Sequence, residues 1–149
     1  MIDHYLEDFA SGQVFEAGSL PVTADRIKRF AAEFDPQPFH LDEEAARETV
    51  FRGLAASGWH TAALTMKLMV ASDFAPAGGL VGLGFDELRW PRAVRPGDEL
   101  RIRIDVLDVR ASRSNARRGL VRIRTTTTNQ NGEPVQILVA TLLVPRRPA

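Results

Sequence analysis

Cysteine is absent from the 149-residue sequence, and its absence excludes disulfide scaffolds, thiolate metal sites, iron–sulfur clusters and cysteine nucleophiles. The N-terminus also lacks a cationic flank followed by an apolar run, so neither a signal peptide nor a transit peptide fits, and we expect a cytoplasmic protein. Internal repeats and low-complexity tracts are missing as well. The composition that is present, 44% hydrophobic and 26% charged residues, is that of one globular domain spanning residues 1–149.

An excess of either charge is also missing, because nineteen Lys and Arg residues balance nineteen Asp and Glu residues. The balance conceals an asymmetry: residues 1–50 hold four basic and eleven acidic side chains, whereas residues 51–149 hold fifteen and eight. Thirteen of those fifteen follow Leu88, and all thirteen are arginine. A basic C-terminal part of the chain suggests a phosphate-bearing ligand or nucleic acid as partner, although arginines that alternate along strands more often form a solvated face.

The first half of the chain has the apolar period of helices. Thr23 is a candidate N-cap. One apolar stripe follows it, formed by Ile27, Phe30, Ala31 and Phe34. Two prolines within residues 35–40 end this helix, so that segment is predicted to be a rigid, extended turn. Residues 41–48, with Asp42 as the cap, then predict a short surface helix.

Residues 54–72 are apolar nearly all round and predict a long helix buried on most of its sides. Trp59, His60 and Met66 are accordingly expected to be packing residues rather than catalytic or cofactor-binding groups. The segment is shorter than the roughly 20 apolar residues that span a bilayer, so no membrane partner is expected. Residues 74–84, rich in glycine and proline, predict a mobile connection after the helix.

After this connection the apolar period changes from 3.6 to 2, as in strands. Strands are predicted at residues 85–90, 100–106, 120–128 and 135–144, with an edge strand at residues 14–22. Asn131 and Gly132 lie where a hairpin turn is expected. Strands that follow one another through tight turns form antiparallel sheet, so the fold class is α+β, a single sheet curled around the long helix. Pairing with a second copy is the simplest cover for the sheet edge.

Of the three histidines, only His40 lies in a turn with acidic side chains close by in sequence. In one interpretation, two prolines hold Asp35 and His40 in a fixed geometry for acid–base chemistry, since histidine exchanges protons near neutral pH. In the other, His40 is a turn residue bonded to Asp42, and Asp35 is merely the acid at the end of a helix. The spacing alone leaves both open.

A longer pattern runs through FAAEFDPQPFHLDEEAA at residues 30–46 and GLAASGWHTAAL at residues 53–64. It consists of an acid, a carboxamide, a proline, a histidine and a second aspartate, here Asp35, Gln37, Pro38, His40 and Asp42. The element PRAVRPGDEL follows at residues 91–100. In these motifs the chain resembles the MaoC-like dehydratase and (R)-specific enoyl-CoA hydratase family, from about residue 23 to about residue 144.

The resemblance implies a hot-dog fold, with the helix of residues 54–72 inside the antiparallel sheet. It implies a catalytic dyad, Asp35 and His40, for the reversible addition of water to a trans-2-enoyl-CoA to give an (R)-3-hydroxyacyl-CoA. The oxyanion donor of the family corresponds to the N–H of Gly58. Gln37 and Ser57 are the further substrate-site positions, and both depart from the family, which usually has asparagine and histidine there.

The partners implied are an acyl-CoA-type thioester and a second copy of the chain, in a homodimer or an oligomer of dimers. No cofactor, metal ion or nucleic acid is implied. Two alternatives stay open, a thioesterase on the same fold and a non-catalytic acyl-CoA-binding subunit. Four arginines within residues 110–119 are a candidate contact for the phosphates of CoA, although a solvated hairpin tip is the favoured explanation.

Overall fold

The computed structural model describes residues 3–149. Its helical elements are a 3-10 turn at Leu6–Asp8 and the helices α1 (Ala24–Phe34), α2 (Pro38–Leu41), α3 (Glu43–Arg47) and α4 (Gly58–Ala71). Its strands are β1 (Val14–Pro21), β2 (Val81–Arg89), β3 (Glu99–Ala111), β4 (Arg118–Thr128) and β5 (Pro134–Pro145). The predicted order of one early strand, helices and then a run of strands is confirmed, with α2 as an additional element.

The five strands form one antiparallel sheet in the order β1-β3-β4-β5-β2. In β3 the aliphatic side chains at positions 100, 102, 104 and 106 are buried, and the arginines between them are exposed. Helix α4 packs on the buried face, where Thr65 Oγ1 lies 2.7 Å from Thr127 Oγ1 of β4. One sheet with a single long helix against its buried face is the α+β hot-dog architecture that the sequence predicts.

Helix α4 is shorter and more exposed than its sequence predicts. It begins at Gly58 with Ser57 as N-cap, because the preceding N–H groups of Ala55 and Ala56 donate to the oxygens of Phe39 and Val94 instead of joining a helix. Trp59 is 57% exposed and Met66 is 45% exposed, so the prediction that both are core residues is wrong. One face of α4 is apolar and is left exposed by residues 3–149. None of the described helices is long and apolar enough to cross a bilayer.

The segment after α1 is helical where an extended turn is predicted. Thr23 caps α1 as expected and accepts a hydrogen bond from the Arg26 N–H at 3.2 Å. Residues 35–37 lie between the two helices and Gln37 is extended, but Pro38 is the first residue of the helical turn α2. A proline is tolerated there because the first N–H groups of a helix have no intrahelical partner. Phe34 is 64% exposed, so the apolar stripe of α1 is buried only in part.

The hairpins place the arginine-rich segment away from the start of α4. The β4–β5 turn contains Gly132 at a φ of 73°, which confirms the predicted hairpin. Residues 110–119 comprise the tip of the β3–β4 hairpin and the adjoining strand ends, and Ala111 lies about 40 Å along the 13-residue strand β3 from Glu99. Elsewhere on the sheet, Arg103 pairs with Asp105 at 3.1 Å and Arg122 with Asp86 at 2.9 Å. The arginines of the sheet form an exposed, partly neutralised face.

Strand β2 forms one edge of the sheet and exposes apolar side chains to solvent. It begins at Val81, so the last residues of the predicted connection at 74–84 belong to a strand. Its exposed apolar residues are Val81, Leu83 and Phe85. The other edge is β1, as predicted.

Candidate active site

The turn between α1 and α2 brings Asp35 and His40 together. Asp35 is the C-cap residue of α1, and His40 lies in the single helical turn α2. His40 Nε2 is 3.4 Å from Asp35 Oδ2, and the His40 side chain is buried. Asp42, the rival partner of His40, instead accepts a hydrogen bond from the Glu44 N–H at 2.9 Å and caps α3. The structure therefore pairs His40 with Asp35.

The backbone carbonyl of Ala55 fixes the tautomer of His40. His40 Nδ1 lies 2.6 Å from the Ala55 oxygen. A carbonyl oxygen only accepts hydrogen bonds, so Nδ1 carries the proton and donates it. The nitrogen left to exchange protons is Nε2, which faces the Asp35 carboxylate. Ala55 is held in turn by its own N–H, which donates to the Phe39 oxygen at 3.0 Å.

The surroundings of Asp35 keep its carboxylate ionised at neutral pH. Burial by itself would raise the pKa of Asp35. Hydrogen bonding by the side chains of Ser57 and Gln37, together with the charge of a protonated His40, outweighs burial and holds the pKa below the ordinary value of 3.8. The Gln37 amide donates to Asp35 Oδ1. Gln37 thus reaches the dyad with a side chain one methylene longer than asparagine.

Ser57 links the dyad to the start of α4. As N-cap its hydroxyl oxygen accepts a hydrogen bond from the Trp59 N–H at 3.2 Å, while its interaction with Asp35 lowers the pKa of that carboxyl. The next residue, Gly58, is the first of the helix and contributes an N–H without a partner inside the helix. A free N–H at the positive end of a helix is suited to an oxygen that gains negative charge.

Gly58 is required sterically by the indole of Trp90, which the sequence pattern does not indicate. A Cβ atom at position 58 would lie 2.6 Å from Trp90 Cε2, closer than carbon atoms approach. Trp90 is anchored because its Nε1–H donates to Gln136 Oε1 at 2.9 Å. Trp90 follows β2, more than 30 residues from Gly58 in the sequence, and no spacing rule connects the two.

His60 is a packing residue, as the sequence predicts. Its ring is buried and stacks on Phe30 with the ring centroids 4.8 Å apart and the planes 8° from parallel. Burial, and secondarily the charge of Arg26, lowers the pKa of His60 below 6.5. Among residues 3–149, no cluster of three or more histidine or acidic side chains is arranged to hold a metal ion.

Replacing His60 by phenylalanine is expected to flatten the pH dependence of stability between pH 7 and pH 5. The pKa of His60 is lower in the folded state than in the unfolded chain, where it is about 6.5. As pH falls below that value, protons bind preferentially to the unfolded chain and wild-type stability decreases. Urea unfolding at the two pH values measures the difference. An undiminished pH dependence in His60→Phe would contradict this assignment.

Comparison with known proteins places these residues in a family context. The model of the family described as MaoC like domain matches residues 8–129. YdeM, an uncharacterized protein of Bacillus subtilis, is 38% identical over 125 residues, which cover 84% of this chain and 87% of that protein. The family match over residues 8–129 therefore includes the turn with Asp35 and His40, the start of α4 and most of the sheet.

Solved structures with the same architecture include proteins named as dehydratases and hydratases. The crystal structure of a MaoC-like dehydratase from Rhodospirillum rubrum has a TM-score of 0.94 and 52% sequence identity, covering 98% of this chain and 99% of that one. R-hydratase PhaJ1 from Pseudomonas aeruginosa, in the unliganded form, has a TM-score of 0.76 and 28% identity, covering 96% and 86%. The hot-dog fold is thereby shared over nearly the whole chain.

Proposed function

Because the chain belongs to the MaoC-like domain family, we propose that residues 1–149 act as one domain that catalyses the reversible hydration of a trans-2-enoyl-CoA to an (R)-3-hydroxyacyl-CoA. Membership of the family and similarity to an R-hydratase support a hydratase or dehydratase activity in general. The observation that carries the specific reaction is the pairing of Asp35 with His40 Nε2 at 3.4 Å, beside the N-terminus of α4.

In the proposed reaction Asp35 and His40 transfer the proton, and the N-terminus of α4 stabilises the negative charge that develops on the thioester oxygen. A water held by Asp35 and His40 Nε2 loses a proton to the pair while its oxygen forms a bond to C3 of the enoyl group. The π electrons move towards the thioester oxygen, and the N–H of Gly58 donates a hydrogen bond to that oxygen. The proton then passes from the dyad to C2. Asp35 and His40 act as a coupled unit in these transfers.

The substrate class follows from the same requirements. The double bond must be conjugated with a carbonyl, since the charge has to reach an oxygen within range of a fixed donor. A thioester is favoured because sulfur donates its lone pair into the carbonyl less than the oxygen of an ester does, so the carbonyl accepts charge from the enoyl group more readily. Because the water adds at C3 and the proton at C2, the acyl part of the ligand, rather than its phosphates, is proposed to lie nearest Asp35 and His40.

Crotonyl-CoA is the first substrate to test. We expect the purified protein to remove the conjugated enoyl absorbance without releasing free thiol, and Asp35→Asn to be the inactive control. Thiol release would support a thioesterase and contradict the proposal. Binding without turnover across several acyl lengths would instead support a non-catalytic acyl-CoA-binding subunit.

We also propose that the working unit is a homodimer joined along β2. This edge strand has unpaired backbone groups on one side, and its exposed Phe85 is apolar. Trp59 of the uncovered α4 face contacts Trp90 at the end of β2 with ring centroids 5.4 Å apart. Open strand edges flanked by apolar side chains pair readily with another strand, and a second copy supplies an identical one.

Phe85→Glu is expected to weaken the dimer by a factor of about 10⁴, because each of the two protomers buries an unpaired carboxylate at a cost of about 3 kcal/mol. Sedimentation equilibrium over a range of protein concentrations measures the change. Val14→Glu, an apolar-to-acidic change at an exposed position of the other edge strand β1, is the matched control and should leave association unchanged. Equal effects of the two variants would contradict pairing through β2.

A further inference from the structure

Arg95 is fixed by a tight turn at the end of the β2–β3 loop. Residues 95–98 have the sequence Arg-Pro-Gly-Asp, and Gly97 adopts a φ of 90°, which favours glycine. The Asp98 N–H donates to the Arg95 oxygen at 3.1 Å, and the Arg95 N–H donates to Asp98 Oδ2 at 2.8 Å. The backbone of Arg95 therefore has little freedom, and its side chain leaves the turn in a defined direction.

The guanidinium of Arg95 binds three backbone carbonyls of the segment before α4. Its Nη2 donates to the Phe51 oxygen at 2.6 Å, and its Nη1 donates to the Gly53 and Leu54 oxygens at 2.9 and 3.3 Å. These carbonyls belong to no helix or strand. The planar guanidinium of arginine carries several N–H donors in a fixed geometry, so it can hydrogen-bond to several carbonyls at once.

The segment that Arg95 holds is also strained. Arg52, between the carbonyls of Phe51 and Gly53, has a φ of 57°, a conformation unfavourable for residues other than glycine. Such strain persists only where surrounding contacts determine the backbone. On the same side, the Ala56 N–H donates to the oxygen of Val94, the neighbour of Arg95.

This segment leads directly into the candidate active site. Ala55, the residue after Leu54, supplies the carbonyl that binds His40 Nδ1. Ser57 and Gly58 follow within three residues. A displacement of residues 51–54 would therefore move three groups together. These are the Ala55 carbonyl that binds His40, the Ser57 side chain that interacts with Asp35, and the N–H of Gly58 that is proposed to bind the oxyanion.

We propose that Arg95 is a positioning residue for hydration. It touches no reacting atom and acts through the carbonyls of residues 51–54, which set the place of the Ala55 carbonyl and of Gly58. This inference rests on the proposed function for its effect on rate, but the contact between Ala55 and His40 is measurable without any substrate.

The test compares Arg95→Lys with wild type. A lysine keeps the charge but has a single nitrogen, which cannot span three carbonyls. We expect kcat to fall by about 10- to 10²-fold, as misplacement of a catalytic group does, with KM for crotonyl-CoA nearly unchanged. In ¹⁵N NMR spectra without substrate, the His40 imidazole should lose its fixed Nδ1–H tautomer, and amides of residues 53–57 should exchange faster.

Two further variants sharpen the result. Arg92→Lys is the matched control, because Arg92 lies in the same loop but pairs with Glu133 at 2.9 Å and donates to none of the three carbonyls. In Arg95→Ala, added guanidinium ion should restore part of the activity, whereas it should not rescue His40→Ala.

Wild-type kcat and a wild-type His40 signal in Arg95→Lys would overturn the inference. So would a loss that Arg92→Lys reproduces. If the wild-type protein hydrates no enoyl-CoA while Arg95→Lys still alters the His40 tautomer, the proposed function fails and the positioning role stands.

Discussion

Asp35→Asn is expected to lower kcat/KM for enoyl-CoA hydration by a factor of about 10² to 10⁴, the usual contribution of a positioned acid or base. Asparagine keeps the size of the side chain and an oxygen that accepts from Gln37, so the fold should be retained. What it loses is the negative charge beside His40 Nε2 and the ability to accept a proton from water. Steady-state kinetics with crotonyl-CoA, combined with thermal unfolding of both proteins, measures the two effects separately.

Asp42→Asn is the matched control for that experiment. It removes a carboxylate from the same motif, two residues from His40, but this carboxylate caps α3 and does not pair with His40. We expect unchanged kinetics and at most about 1 kcal/mol of lost stability, since asparagine is itself a good N-cap. Equal activity losses in the two variants would contradict the assignment of Asp35 and revive Asp42 as the partner of His40.

The pH profile gives an independent check on Asp35. Its pKa is lowered in the folded protein, so its carboxylate remains ionised as pH falls and becomes protonated only below the ordinary value of 3.8. The same shift contributes stability that is present above the unfolded pKa of about 3.9 and is lost as pH falls through the folded value. A loss of kcat/KM at pH 5 to 6 must therefore come from another group.

The parts of the site that are local in sequence could be predicted. The helix start at Thr23, the cap at Asp42 and the hairpin at Asn131 and Gly132 follow from short-range patterns, and the structure confirms them. The motif from Asp35 to His40 also places both groups within six residues, but its spacing alone leaves Asp35 and Asp42 open as partners of His40, and the structure decides for Asp35. The extended conformation predicted for this turn is wrong because Pro38 starts a helical turn instead of preventing one.

The contacts that complete the site are long-range and leave no local pattern. The Ala55 carbonyl on His40, the Trp90 indole on Gly58 and the Arg95 guanidinium on residues 51–54 each join parts of the chain that meet only through the sheet and its loops. The burial of side chains on α4 is also predicted wrongly from residue type alone. Trp59 and Met66 are residue types typical of a protein core, yet they lie on a face of α4 that residues 3–149 leave exposed.

Gly58→Ala is expected to cost about 1–3 kcal/mol of stability, the usual penalty of overpacking, and about 10²-fold in kcat, the usual cost of losing an oxyanion donor. The new Cβ would lie 2.6 Å from Trp90 Cε2, and the indole is held by Gln136, so either the ring or the start of α4 must move. Urea unfolding and crotonyl-CoA kinetics measure the two losses.

A second substitution separates two reasons why residue 58 could be glycine, namely the space taken by the Trp90 indole and the close approach of the thioester. Trp90→Val removes the indole and leaves the buried Gln136 amide without its partner, at a cost of about 1–3 kcal/mol. In the double variant the alanine methyl no longer meets a ring, and the backbone N–H is retained. If Trp90 is the reason for glycine, the combined losses in stability and kcat will be smaller than the sum of the single losses. Additive losses in kcat would mean that the methyl group obstructs the thioester itself, and would contradict the role of Trp90.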